Sequence, residues 1–167
     1  MSRPSGDEVR LELDARPEAT ERVGRWVGER LKAGQTVALC GPLGAGKTTF
    51  VRGVAQGLGV DDPAEVHSPT YLLVVEHPGE VPLLHADAYL PEKLTGFLED
   101  GGLEYLLDAD KVVCVEWADN VHKLLPESAL WVHLGHGAGG GRWLHMRGRA
   151  QGEFPWLADL STILDLD

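Results

Sequence analysis

The chain is 167 residues long, 43% apolar and 25% charged, with a formal net charge of −11. Length and composition suit a single domain over residues 1–167 with a substantial core, its last ~15 residues forming at most a peripheral tail. The acidic balance excludes a general nucleic-acid surface, which needs concentrated Lys and Arg. With no apolar run long enough to cross a bilayer and none at the N-terminus, the expected location is cytoplasmic.

Val9–Leu13 alternates apolar and polar residues as a half-exposed strand does, and Pro17 then opens a helix whose apolar positions are Ala19, Val23, Val27 and Leu31. Gly34 suits the residue after its C-terminus. Thr36-Val-Ala-Leu-Cys40 has the continuous apolar character of a buried parallel strand. Residues 41 to 48 follow as Gly-Pro-Leu-Gly-Ala-Gly-Lys-Thr, a complete G-x-x-x-x-G-K-S/T phosphate loop. From the composition, ~0.006 such matches arise by chance in a chain of this length.

Each residue type in that loop has a physical job. Glycines at 41, 44 and 46 permit positive φ, so that the backbone from Gly41 through Pro42, Leu43, Gly44, Ala45 and Gly46 to Lys47 wraps its N–H groups around phosphate oxygens. Lys47 brings a positive charge to the β- and γ-phosphates, and Thr48 offers a hydroxyl to Mg²⁺. The helix beginning here points its positive end at the same anion, with Thr49 in its first turn. The pattern predicts a nucleoside triphosphate bound with magnesium. Phe50, Val54 and Leu58 continue one apolar helix face, which fades at Gly57 and Gly59.

Asp61-Asp-Pro63 signals a turn, and His67-Ser-Pro-Thr-Tyr71 leads into a strand over Tyr71–Val75. That polar segment reads either as an ordinary turn or as a switch loop whose Ser68 and Thr70 hydroxyls sense the γ-phosphate. His77-Pro-Gly-Glu80 is short enough to make a hairpin with a second strand over Pro82–Asp87, so the sheet is mixed. Within His85-Ala-Asp-Ala-Tyr89, a persisting strand would place His85, Asp87 and Tyr89 on one face. Such a face orients water or simply bonds neighbouring backbone. From Pro91 to Leu107 an acidic amphipathic stretch reads as two short helices broken at Gly101 and Gly102, anchored by Leu94, Leu98, Leu103, Leu106 and Leu107.

Lys111-Val-Val-Cys-Val-Glu116 is an apolar run ending in an acid, as expected of a parallel strand delivering a carboxylate to the sheet edge, where ligands of open α/β sheets bind. Glu116 is the candidate partner of Thr48 at magnesium, and Trp117 packs near the nucleotide or completes the core. Ala129–Leu134 and Arg142–Arg147 alternate around a glycine-rich turn. There Arg142, Arg147 and Arg149, with His145, form a solvated strand face or a protein or RNA contact. Cys40 and Cys114 sit inside apolar runs, as buried thiols do.

Taken together, Gly41–Thr49, Ser68-Pro-Thr-Tyr71, His85-x-Asp87-x-Tyr89 and Glu116-Trp117 resemble the TsaE (YjeE) family of small ATPases in bacterial threonylcarbamoyladenosine (t6A) tRNA modification, over residues ~14 to 150. The resemblance implies a three-layer α/β P-loop NTPase fold, with a mixed, mainly parallel central sheet and antiparallel edge strands. It further implies a switch-like loop at Ser68 and Thr70, a role for Asp87 in hydrolysis, Glu116 at magnesium, and Trp117 near the nucleotide. ATP as the cofactor with Mg²⁺, and TsaB and TsaD proteins as partners with tRNA reached only through them, follow from the same resemblance. The chain departs from the family pattern at Leu90, where arginine is usual; Arg52 is a weak candidate to replace that charge. Two alternatives share the phosphate loop: a small-molecule kinase, which needs an arginine-rich lid, and a nucleotide-dependent binding switch.

Overall fold

The computed structural model describes residues 7–69, 73–102, 104 and 109–160. Seven strands form one sheet: β1 (Glu8–Leu13), β2 (Thr36–Cys40), β3 (Val74–His77), β4 (Leu83–Asp87), β5 (Val112–Glu116), β6 (Leu130–His136) and β7 (Arg142–Gly148). Their spatial order is β1-β7-β6-β2-β5-β4-β3. The pairs β6/β2, β2/β5 and β5/β4 are parallel, whereas β1/β7, β7/β6 and β4/β3 are antiparallel. The expected mixed sheet with a parallel centre and antiparallel edges is therefore the observed one. Strands β2, β4 and β5 are buried along their whole length, which is why β2 and β5 read as near-continuous apolar runs, whereas β4 carries His85 and Asp87 in the same buried setting.

Helices cover both faces, making three layers. On one face lie α1 (Pro17–Gly28) and α2 (Lys47–Leu58), packed against Val37, Leu39, Leu83, Cys114, Val132 and Leu144. On the other, α3 (Pro91–Phe97) and the 3-10 turn Ala118–Leu124 cover Ala38, Leu84, Ala86 and Val115. No helix among the described residues is long and apolar enough to cross a membrane.

α1 and α2 meet backbone to backbone. A Cβ on Gly24 would lie 2.2 Å from Phe50 O, one on Gly28 2.3 Å from Val54 O, one on Gly53 2.0 Å from Glu21 O, and one on Gly57 2.3 Å from Arg25 O. Four glycines, spaced four apart on each helix, therefore make the contact possible. This explains two departures from the sequence reading. Gly57 lies inside α2, where it serves the contact, and Gly59 with φ +77° is the residue that ends the helix. α1 stops at Gly28, before Leu31, although Leu31 still reaches the core; Gly34 adopts φ +93° in the later turn before β2.

Other expectations shift by smaller amounts. β6 runs on through Gly135 and His136, which pair with Trp143 and Arg142 of β7, and Gly135 lies under the Trp143 ring, where a Cβ would come within 2.2 Å of the indole. β3 begins at Val74; Thr70, Tyr71 and Leu72 lie outside the described residues, as do Leu103, Leu106 and Leu107. α3 passes into a π-turn over Leu98–Gly102, where Gly101 takes φ +97°; of the expected second helix only Glu104, which is helical, lies among the described residues. Nor are residues up to 160 peripheral: Phe154, Leu157 and Leu160 are buried in the α1/α2 core, and Trp156 meets Trp26 edge-on with ring centroids 5.6 Å apart. A bulky apolar residue every three positions supplies that burial.

Candidate functional site

The parallel strands β2, β4 and β5 bring Cys40, Asp87 and Glu116 to the same edge of the sheet, and the phosphate loop leaves β2 there. The three expected loop glycines take positive φ: +153° at Gly41, +77° at Gly44 and +106° at Gly46. Gly46 caps α2, and Phe50 N–H makes the helix bond to Gly46 O at 2.9 Å. The amides of Lys47, Thr48 and Thr49 are thus the helix's opening donors, aimed along its axis into the cleft. Ala45 behaves differently from its loop neighbours. Its methyl is fully buried and its N–H bonds Pro42 O at 3.2 Å, which shapes the loop from within.

Lys47 is only 5% exposed. Its Nζ donates to Gly41 O at 2.6 Å and Pro42 O at 2.9 Å, and stands 4.0 Å from the centroid of the Trp117 ring. Burial lowers its pKa, while Glu116, Asp87 and Asp119 pull the other way. Trp117 reaches this place through a left-handed backbone, φ +56° and ψ 38°, a sparsely populated conformation for a bulky residue. The indole lies over the Lys47 ammonium while still packing against the core that holds Ala86 and Val115, with Tyr89 tilted against it at 5.2 Å.

Beside the lysine, Thr48 Oγ1 lies 2.9 Å from Glu116 Oε1 and 3.0 Å from Oε2. From the opposite side His85 Nε2 approaches Glu116 Oε2 at 2.5 Å. A hydroxyl and a carboxylate at the mouth of a phosphate loop are hard oxygen donors, few enough to leave other positions to water and phosphate, which fits Mg²⁺. The neighbouring acid, Asp87, pairs with Glu116 in the strand register and is 1% exposed. Its Oδ2 accepts a bond from Ser68 Oγ at 3.0 Å and its Oδ1 accepts one from Tyr89 N–H at 2.8 Å.

That last bond ends β4 at Asp87, so Tyr89 does not continue the strand face; it is 53% exposed and joins Trp117 instead. Leu43, Gly44, Lys47, Ser68, Glu116 and Trp117 all line one open cleft of about 480 Å³, with Gly46, Thr48, Thr49 and Tyr89 completing its wall. Asp87 stands behind that wall, reached through Ser68. Thr70 belongs to the undescribed residues 70–72.

Two arginines change their standing. Arg52 Nη2 donates to Val66 O at 2.9 Å and so secures the backbone ahead of Ser68, away from the phosphate side. Arg142, which the sequence places with Arg147 and Arg149, parts from them: its guanidinium bonds Gly140 O at 2.9 Å and reaches Gly44 O in the phosphate loop at 3.5 Å. Arg149 instead lies 4.9 Å over Trp131, and His145 bonds Glu8. Strand alternation was the available signal for the split, since Arg142 has the same parity as buried Leu144 and Met146.

A family model described as threonylcarbamoyl adenosine biosynthesis protein TsaE matches residues 15–142. Curated TsaE proteins of similar sequence include those of Treponema pallidum, 38% identical over 69% of this chain and 83% of the relative, and Streptomyces coelicolor, 40% identical over 70% and 79%. The Bacillus subtilis protein is 38% identical over 70% of this chain and 71% of its own. Among solved structures, the crystal structure of Bacillus subtilis YdiB superposes with a TM-score of 0.73 at 25% identity, covering 93% of this chain and 95% of that one.

Proposed function

The chain belongs to the TsaE family of tRNA threonylcarbamoyladenosine biosynthesis proteins, and from that premise we propose that it is a Mg²⁺-dependent ATPase supporting t6A modification by acting on a TsaB–TsaD complex. The observation that carries the reading is the meeting of Thr48 with Glu116 at the mouth of the phosphate loop, beside the Lys47 ammonium.

In this reading the amides of the loop and of the α2 N-terminus surround the β- and γ-phosphates, at no reorganisation cost because the glycines already hold their conformations. Lys47 leaves the carbonyl oxygens of Gly41 and Pro42 for phosphate oxygens. Thr48 and Glu116 would hold the magnesium ion, which when bound would supply positive charge against the phosphates. Asp87 orients the attacking water or takes its proton, with Ser68 exchanging its bond to the carboxylate for one to water. Thr70 is assigned to sensing the γ-phosphate, and Trp117 with Tyr89 to covering the nucleotide. ATP is the assigned nucleotide, TsaB and TsaD the partners, tRNA a substrate reached through them, and the cytoplasm the place of action. A slow intrinsic rate accords with a cleft that is open and an acid set behind its wall.

The test is phosphate release from ATP and Mg²⁺ by the protein alone and with its cognate TsaB and TsaD proteins and tRNA. We expect partner-stimulated release, falling at least ~100-fold in Lys47→Ala. Release that ignores the partners, or survives Lys47→Ala, would overturn the assignment.

A further inference from the structure

Glu116 presents a carboxylate to the cleft, yet the cleft-side groups do not by themselves fix its rotamer. Thr48 Oγ1 contacts both oxygens almost equally, at 2.9 and 3.0 Å, and a hydroxyl offers a single proton. The selective contact comes from behind. His85 Nε2 meets Oε2 at 2.5 Å, from a ring that is 0% exposed. In the register of β4 and β5, His85 faces Cys114 and Asp87 faces Glu116, so the imidazole lies one step down the neighbouring strand, beneath the carboxylate it bonds.

The position is an unusual one for histidine. Leu83, two residues earlier on the same face, and Cys114 both belong to the apolar core under α2. An imidazole here is a buried polar group, and its Nδ1 has no hydrogen-bond partner among the described residues. Such a group costs stability unless something is gained elsewhere, and the bond to Glu116 is the gain visible in the structure.

We infer that His85 is a positioning residue for the magnesium carboxylate: by taking Oε2 of Glu116 as its acceptor it fixes the rotamer that keeps the other oxygen, with the Thr48 hydroxyl, turned to the cation. This rests on the reading of Glu116 as the magnesium carboxylate. His85 touches neither nucleotide nor metal; it acts through Glu116, as hydrogen-bond partners behind metal ligands generally do, where their loss weakens metal binding roughly 10- to 100-fold.

The critical atom is the donor at Nε2, three bonds from Cβ. Gln carries an amide nitrogen at that same reach, and Met has nearly the same length and volume without a donor. The measurement is the Mn²⁺ concentration that half-maximally tightens binding of a non-hydrolysable ATP analogue, with the analogue's affinity in EDTA measured alongside. We expect His85→Met to raise the Mn²⁺ requirement about tenfold, His85→Gln to stay within about twofold of the parent, and affinity in EDTA to be unchanged in both. If His85→Met fails to fold, His85→Asn replaces it, because its amide nitrogen sits one bond too short to reach Glu116. An unchanged Mn²⁺ requirement in the donor-less variant, or an equal rise in His85→Gln, overturns the inference. Glu116→Gln separates this from the underlying reading: if it too leaves the Mn²⁺ requirement unchanged, the assignment of Glu116 to the metal fails first.

Discussion

Glu116 and Asp87 end adjacent parallel strands in the same register, yet Glu116 contacts a helix residue and a strand residue, Thr48 and His85, whereas the bonds Asp87 accepts include those from Ser68 and the Tyr89 amide, both outside regular elements. A carboxylate that must hold a cation benefits from supports that cannot shift, because metal geometry tolerates little error. One that handles water during each turnover has to exchange partners, and loop groups exchange more readily than a helix start or a central strand. Under the proposed roles, the same side-chain chemistry is put to two uses according to the kind of backbone that surrounds it.

The contrast breaks most visibly if the two acids are altered in turn. Asp87→Asn is expected to lower ATP turnover roughly 1000-fold while leaving the Mg²⁺ requirement of nucleotide binding within about twofold, read by single-turnover phosphate release and a metal titration. Glu116→Gln should do the reverse in emphasis, raising the Mg²⁺ requirement about 10- to 100-fold, since its amide nitrogen brings a donor against the donors of Thr48 or His85. Equal effects of both variants on the metal titration would erase the distinction. Ser68→Ala sharpens it: with a loop support removed but the acid retained, turnover should fall only about fivefold, measured under saturating Mg²⁺.

A third strand end serves as a reference of no expected effect. Cys40 closes β2 at the same edge of the sheet, but burial, helped by the charge of Asp119, pushes its thiol up to about 12. The raised value means that at pH 8 only about one molecule in 10⁴ carries the thiolate, so alkylation of the folded protein at that pH should be negligible on the scale of hours and become rapid in denaturant. Mass spectrometry after iodoacetamide treatment reads both states.

The parts of this site that were legible in the sequence are those set by local constraints. Gly41, Gly44 and Gly46 announce themselves because only glycine accepts their φ values readily, and Glu116 because an acid closing a buried apolar strand has to emerge at the sheet edge. What stayed hidden depends on register and close approach. The bond between His85 and Glu116 requires that β4 lie beside β5 in one particular alignment, and the reach of Arg142 to Gly44 requires that the β6–β7 hairpin bring its tip to the phosphate loop. The condition for Tyr89 to share the face of His85 and Asp87, a strand that persists, is not met: β4 ends at Asp87, whose carboxylate bonds the Tyr89 amide where alternation alone would continue the strand.

The glycine contact between α1 and α2 has a mechanical meaning. With no side chains between the two backbones at Gly24, Gly28, Gly53 and Gly57, there is nothing in the joint to repack and therefore no slack to absorb a displacement. The outer surface of α1, where Arg22, Arg25 and Glu29 stand exposed, is therefore seated directly on the helix that begins at the phosphate loop.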